Sequence, residues 1–477
     1  MPLPVITIAQ MREWEKATWA TGQTEAEVIR RVGTSVAQCA LRLTGARDLV
    51  LILAGKGHNG EDARCARTAL AERRVEVLDV ADPEADLRRL DQLFSLRPAL
   101  VIDGLFGIGI NRQLSPQWLT FIERVNGARA KILAVDVPSG LDADTGQPHG
   151  AALRATVTLT VGAPKIGLIQ EPAWPFVGRL EVANDIGLVP CPFNGEVQWT
   201  SPEDLNGFPP PRPVGTHKGS YGHVSIIAGS LGYHGAAVLA ARAAQRAQPG
   251  LITLYTVEQA YPAVASQLQA VMVSPWRPET DVHGASAVLA GPGLAADDVP
   301  EPLKAFVREL WLSSPLPVIA DASALDWLPP RAVAGGALRV ITPHPGEAAR
   351  LLGTTPQRVQ ANRLEALRVL SGRFGNAWVV LKGHQTIVGR SRGEIYVNPS
   401  GNPHLAQGGS GDVLAGFIAG LLAQPALRGE PLLAIRYAVW QHGATADSLQ
   451  RTRQNWVVED LVQNLGNPHG PTCTPSA

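Results

Sequence analysis

Cysteine is scarce. The 477 residues include four, Cys39, Cys65, Cys191 and Cys473, scattered with no Cys-x-x-Cys pair, which argues against a disulfide framework and against a structural zinc site. Neither sign of charge dominates, since Lys plus Arg and Asp plus Glu each total 42, a formal net charge of +0. No broad basic field is available, so neither nucleic acid nor an anionic membrane is an expected partner. Apolar runs long enough to span a bilayer, about 18 residues, are missing. Met1 to Ile8 shows no basic segment followed by an apolar one, and a soluble, cytoplasmic protein is expected. His217, His223, His234, His384 and His442 share no metal-ligand spacing, and no fixed-period repeat or low-complexity tract occurs. What remains is a chain too long for one core, so two domains are expected.

Short Val/Ile/Leu runs ending in Gly or Pro turns alternate with longer Ala/Arg/Leu segments, the pattern of buried parallel strands covered by helices. Both halves are therefore expected to be α/β. In the first, strands are predicted at residues 49–53, 75–80, 100–103, 132–137, 157–161 and 180–182. In the second they are predicted at 223–228, 251–256, 287–289, 318–321, 340–342, 378–382 and 395–398. Between Pro190 and Gly219 the alternation gives way to Pro-rich extended and turn chemistry, so the boundary falls there, dividing residues 1–195 from 196–477. Asn467 to Ala477, rich in Pro, Thr and Gly, is expected to fray.

The strongest chemical signal is Gly408-Gly-Ser-Gly-Asp412, which leads into the apolar stretch Val413 to Leu422. Glycines and a serine at a helix start leave backbone N–H groups free to converge on phosphate, with the positive end of the helix dipole behind them. An aspartate there would repel a phosphate, so its expected task is to accept a proton from a hydroxyl, or to hold a substrate group, beside the phosphorus. Lys382-Gly-His-Gln-Thr386 forms a cationic turn after a strand, and Thr342-Pro-His-Pro-Gly-Glu347 sets an imidazole and a carboxylate in a rigid loop. Alone, the first reads more readily as a surface turn, and Glu347 serves equally well as a helix cap. The run from Gly229 to Gly235 lacks a Lys-Ser/Thr ending and is not a Walker A loop.

Taken in order with His217-Lys-Gly-Ser-Tyr-Gly-His, Gly235-Ala-Ala, Gly291-Pro-Gly-Leu, Asp321-Ala-Ser-Ala-Leu and Asn398-Pro-Ser-Gly-Asn-Pro, these motifs resemble the ADP/ATP-dependent NAD(P)H-hydrate dehydratase family, from about Thr200 to Val462. The resemblance implies a ribokinase-like fold and repair of the hydrated, redox-dead forms of NADH and NADPH (NADHX and NADPHX). The ring hydroxyl is phosphorylated with ADP or ATP, assisted by Mg2+, and phosphate is then lost. It implies Lys382, Gly383, His384, Gln385, Thr386 and Gly411 for the adenine nucleotide. Ala236, Ala237, Gly293 and His344 would border the hydrate, and Asp412 would be catalytic between the two ligands.

In the first half, three strand ends carry glycine-rich loops, at Ala54 to Asp62, Gly104 to Arg112 and Pro138 to Gly146, and a parallel sheet gathers such ends on one rim. Val135-Asp-Val-Pro-Ser-Gly-Leu-Asp-Ala-Asp-Thr-Gly146, with Asp103-Gly-Leu-Phe-Gly and Val161-Gly-Ala-Pro-Lys-Ile-Gly-Leu168, resembles the NAD(P)H-hydrate epimerase family, from about Thr7 to Gly187. This implies a Rossmann-like fold, interconversion of the R and S hydrates, and a homo-oligomer. It implies K+ on Asn59, Asp103 and Ser139, and acid/base work by Asp136. The substrate would lie among His58, Asn59, Gly60, Glu61, Asp62 and the loop Gly107, Ile108, Gly109, Ile110, Asn111, Arg112 and Gln113. The chain departs from the family at His58 to Ala63 and at Val28 to Gly33. A carboxylate at Glu61 is expected to repel or obstruct an anionic ligand, and Arg30 and Arg31 stand where an acid and an amide are usual. The competing reading is a vitamin-precursor or sugar kinase joined to a non-catalytic binding module.

Overall fold

Leu49–Ala54 is an unbroken apolar run, and all six of its residues are buried. Such a run suits a central parallel strand covered on both faces. In the computed structural model, which describes residues 3–466 apart from 283, 298, 332, 334 and 335, it is one strand of a compact unit spanning Leu3–Trp199. The residues expected to fray, Asn467 to Ala477, lie outside the described part. This unit carries β1 (Leu3–Pro4), β2 (Leu49–Ala54), β3 (Arg74–Asp79), β4 (Leu100–Gly104), β5 (Lys131–Val135), β6 (Val157–Val161), β7 (Arg179–Ala183) and β8 (Val197–Trp199).

Strands β2 to β7 form a parallel sheet in the order β3-β2-β4-β5-β6-β7, and β1 pairs antiparallel with β8. Apolar clusters cover both faces, one built on Val50, Ile52 and Ile102 with helix Glu25–Leu43, the other on Leu51, Leu53 and Val101 with Leu90 and Phe121. From β2 the chain goes to β3 on one side, then returns to β4 on the other. The sheet order therefore reverses between β2 and β4, and a crevice opens outside their carboxyl ends.

The second unit runs from Thr200, so the division falls at Trp199/Thr200, four residues beyond the predicted boundary. It carries β9 (His223–Ile227), β10 (Leu251–Thr256), β11 (Met272–Pro275), β12 (Ala287–Ala290), β13 (Val318–Ala320), β14 (Arg339–Ile341), β15 (Trp378–Leu381), β16 (Ile387–Gly389) and β17 (Ile395–Val397). Their order is β17-β16-β15-β14-β13-β12-β9-β10-β11. From β15 to β11 neighbours run parallel, and β15-β16-β17 is an antiparallel meander. Here the order reverses between β9 and β12. Helix His234–Arg246 follows β9, and helix Ser410–Leu422 packs on it through glycines. A Cβ at Gly416 would stand 2.1 Å from Ala240 O, and one at Gly420 2.6 Å from Ala247 Cβ, so only glycine lets the two backbones approach this closely.

Candidate active sites

At the β9/β12 reversal, Ser230 Oγ donates to Gly293 O at 2.6 Å and accepts from Ala296 N at 3.1 Å, tying the two strand ends together. Gly293 has φ +64°, and a Cβ there would meet Tyr233 O at 2.4 Å and Ala236 Cβ at 2.9 Å. The structure thus brings Gly293 and Ala236 together at the start of helix His234–Arg246, while Ala237 is buried beneath them.

The same helix supports the start of Ser410–Leu422. Gly409, left-handed at φ 93°, precedes that helix, and no side chain caps it. Ser410 N bonds Gln407 O at 3.3 Å and Val413 N bonds Gly409 O at 3.0 Å, so the Gly411 and Asp412 amides are the ones this helix start leaves for a ligand. A Cβ at Gly409 would lie 2.5 Å from Leu239 Cδ1, and one at Gly411 3.1 Å from Lys382 Nζ. The helix start is therefore wedged between the first helix and the Lys382 turn, with Asp412 in its first turn. Behind it, His442 Nε2 lies 3.0 Å from Ser410 O, and burial pulls this imidazole down to about 4, so it is neutral at physiological pH.

Lys382 Nζ lies 2.8 Å from Asp321 Oδ1 and 3.8 Å from Glu347 Oε2. Thr342 Oγ1 donates to the same Asp321 oxygen at 2.6 Å. Asp321 and Glu347 are buried. Burial and then the charges of Asp321 and Glu347 push the Asp412 carboxyl up to about 7, against the opposing pull of Lys382. Burial alone would lower the Lys382 ammonium, but Asp321 and Glu347 outweigh it and the net shift is upward. Lys382, expected at the adenine nucleotide, is thus already engaged by these carboxylates. Gly383, His384, Gln385 and Thr386 form the turn that joins β15 to β16.

His344 and Glu347 turn out to cap. His344 Nδ1 accepts from Gly346 N at 3.0 Å, and Glu347 Oε2 accepts from His344 N at 2.8 Å, so each closes the start of helix Pro345–Leu352. Glu347 does both jobs, cap and partner of Lys382. The His344 ring remains half exposed.

In the first unit, the crevice at the β2/β4 reversal holds Asn59, Asp103 and Ser139 together. Asp103 is fully buried and accepts from Ser139 N at 2.8 Å, Ser139 Oγ at 2.6 Å and Leu105 N at 3.2 Å. Asn59 Nδ2 donates to Phe106 O at 2.9 Å, and Ser139 Oγ lies 3.2 Å from that same carbonyl. Burial pushes Asp103 up to about 6 despite these bonds, and no cationic side chain contributes to its shift. A carboxylate, a hydroxyl, an amide and a carbonyl around a buried, uncompensated charge form a hard-oxygen donor set that suits a weakly charged cation.

Asp136 stands at the end of β5 with φ 65°, a backbone region rarely used by residues other than glycine. Its Oδ1 accepts from Lys165 Nζ at 2.6 Å, Val161 N at 3.0 Å and Thr160 Oγ1 at 3.2 Å. Lys165 is completely buried, and its other two donors go to Val161 O and Thr160 Oγ1. Three donors thus fix one carboxylate oxygen and the residue's orientation with it. Two further carboxyls act on this centre. Asp62 is pushed up to about 8, mainly by burial and then by the charges of Asp136, Glu61 and Glu15. Glu15 is raised by burial and by Asp136.

His58, exposed, opens helix His58–Ala69 and lies 3.3 Å from Glu25 Oε1. Gly60 is obligatory, since a Cβ there would sit 2.1 Å from Gly55 O. Glu61 is exposed while Asn59, Gly60 and Asp62 are buried, and its charge acts on Asp62. Arg30 and Arg31 both pair with Glu27 on their own helix. In the loop 107–113, a Cβ at Gly107 would lie 3.4 Å from Asn59, and Ile108 packs on the cluster of Ile6, Met11 and Trp14. Gly109, Asn111, Arg112 and Gln113 are exposed and Ile110 partly so. Lys165, Glu15 and Asp321 are the residues that the sequence reading assigned no role. The first and third stood inside motifs already singled out.

These two units define the class: a Rossmann-like domain and a ribokinase-like domain in one chain, each with buried carboxyls gathered at the carboxyl ends of its parallel strands. A family model for NAD(P)H-hydrate dehydratase matches residues 224–466, and one for the YjeF-related protein N-terminus matches residues 78–167. The second match begins after the departures at Val28 to Gly33 and His58 to Ala63. A bifunctional NAD(P)H-hydrate repair enzyme Nnr from Moorella thermoacetica is 35% identical, covering 85% of this chain and 84% of that one. Its counterpart from Coxiella burnetii is 32% identical over 92% of this chain and 93% of its own. A ribokinase-like superfamily protein from Enterococcus faecalis superposes with TM-score 0.50 at 26% identity, covering 57% of this chain and 95% of that one. The chain belongs to the family of bifunctional NAD(P)H-hydrate repair enzymes. Membership does not favour the alternative of a kinase with a silent module.

Proposed function

We propose that this protein repairs hydrated NADH and NADPH, its first unit equilibrating the R and S hydrates and its second dehydrating the S form at the expense of ADP or ATP. The observation that carries this reading is Asp412, held near neutral pKa in the first turn of an uncapped helix. The substrate hydroxyl would lose its proton to Asp412 as its oxygen attacks the terminal phosphorus of the nucleotide and displaces AMP from ADP, or ADP from ATP, while the Gly411 and Asp412 amides stabilise the charge on the moving phosphoryl group. Hydroxide, a poor leaving group, becomes phosphate. Departure of phosphate from the ring carbon and of a proton from its neighbour restores the dihydropyridine.

Mg2+ arriving with the nucleotide would offset phosphate charge. Among the described residues no three His, Cys, Asp or Glu side chains gather to hold a metal, which suits an ion held mainly by phosphate and water. In the first unit, the buried charge of Asp103 beside Asn59 and Ser139 supports potassium there. Asp136, braced by Lys165, and the proton-holding Asp62 supply a base and an acid for breaking and remaking the carbon–oxygen bond of the hydrate.

The test is to incubate the whole protein with mixed hydrates and ADP or ATP, in potassium or tetramethylammonium buffer, and to separate the epimers. Nucleotide-dependent recovery of reduced-nicotinamide absorbance with release of inorganic phosphate is expected, with both epimers consumed in potassium. A stable phosphorylated product would sink the dehydratase reading. An untouched R hydrate would sink the epimerase reading.

A further inference from the structure

Arg363, at the start of helix Arg363–Arg373, is buried with its guanidinium against the turn 382–386. Nη2 donates to Leu381 O at 3.0 Å and Gln385 O at 3.5 Å, while Nη1 donates to Lys382 O at 3.4 Å and Gln360 Oε1 at 2.8 Å. One planar group therefore bonds the last residue of β15, the first residue of the turn and a residue near its end. The turn needs such support. Gly383 at φ 131° and Gln385 at φ 50° both hold left-handed backbone, which is costly for glutamine. A Cβ at Gly383 would stand 2.8 Å from Arg363 Nη1, so the glycine and the guanidinium are fitted to each other. Lysine would not replace this arrangement, because a single ammonium lacks the fork that reaches several carbonyls at once.

We propose that Arg363 is a positioning residue for the nucleotide: it sets the Lys382–Thr386 turn in its binding shape before the ligand arrives, without touching either substrate. This rests on reading that turn as the nucleotide site. A turn that is already ordered loses less entropy on binding, so removing its brace weakens nucleotide affinity rather than the chemical step. Burial lowers the guanidinium to about 10, which leaves it charged at neutral pH.

In Arg363→Met and Arg363→Lys, KM for ADP should rise by about tenfold, equivalent to about 1.4 kcal/mol, with kcat at saturating ADP within about threefold of wild type. KM for the hydrate should not move. A wild-type far-UV circular dichroism spectrum and a cooperative urea-unfolding transition report that the second unit has folded. Should the methionine variant fail that control, the lysine variant, which keeps the charge and loses the fork, carries the same expectation. An unchanged KM for ADP, or a fall in kcat at constant KM, overturns the proposal. Absence of nucleotide-dependent turnover in the wild type would instead overturn the functional reading, so the two failures are distinguishable.

Discussion

Each unit sets a lysine beside aspartate, but the two lysines are used differently. Lys165 gives an ammonium donor directly to Asp136 and its remaining donors to Thr160 and Val161. Lys382 is bonded instead to Asp321, with Glu347 near, and acts on Asp412 only through its charge. A carboxylate locked into a buried ion pair is well oriented. One left outside the pair, at about 7, can take up and return a proton near neutral pH. In the first unit the proton-holding role passes to Asp62, at about 8, while Asp136 stays braced. In the proposed mechanism the second unit keeps brace and base on separate residues, Asp321 and Asp412.

If each unit has its own chemistry, the comparison breaks most sharply by deleting one carboxylate at a time. Asp412→Asn should lower dehydration by about 10²- to 10⁴-fold, the range for losing a general base, and leave epimerisation intact. Asp136→Asn should do the reverse, so that the S hydrate is still consumed and the R hydrate accumulates. Epimer-resolved chromatography checks both. Equal loss of both activities in either variant would mean that the two carboxylates do not serve separate sites.

The lysines should part company next. Lys165→Met leaves a buried carboxylate without its counter-charge, a change worth about 3–5 kcal/mol, and should destabilise the first unit in urea unfolding. In Lys382→Met the main effect should be on the pH profile. Loss of a nearby cation raises Asp412 further, so the acidic limb of dehydration, expected near 7 in the wild type, moves up by about one unit. The sign follows from the base being active only when deprotonated. A limb that stays in place would show that Lys382 does not bias Asp412.

Much of this architecture is legible in the sequence, and the exceptions share a cause. Strands such as β2 and β10 announce themselves as apolar runs, and the candidate site turns as glycine clusters at strand ends or helix starts. The pair β1 with β8 and the strands β11 and β16 do not, being two to four residues that become strands only because a neighbour offers a partner edge. The lysine–aspartate pairings are not legible for a related reason, since Lys165 lies 29 residues from Asp136 and Lys382 61 residues from Asp321. No local pattern carries such pairs. The conspicuous Asp142 and Asp144 prove architectural: Asp142 accepts from Asp144 N and Thr145 N within its own turn, and Asp144 Oδ1 holds Ile8 N at the start of the helix that bears Glu15.

Glu61 offers the finest adjustment of the comparison. It replaces a glycine usual in the family and is exposed, yet its negative charge helps keep Asp62 protonated. In Glu61→Gly that repulsion disappears, the ionised form of Asp62 becomes less unfavourable and its pKa falls. If Asp62 works as an acid, the alkaline limb of epimerisation should move to lower pH by a fraction of a unit, about the size of one solvent-screened charge interaction. KM for the hydrate should change by less than about threefold, because an outward carboxylate does not obstruct the crevice. A large gain in affinity would restore the view that Glu61 blocks the ligand, and an unmoved alkaline limb would remove Asp62 from the proton transfer. Dehydration in the same variant provides the internal reference, since Glu61 is not among the charges that shift Asp412.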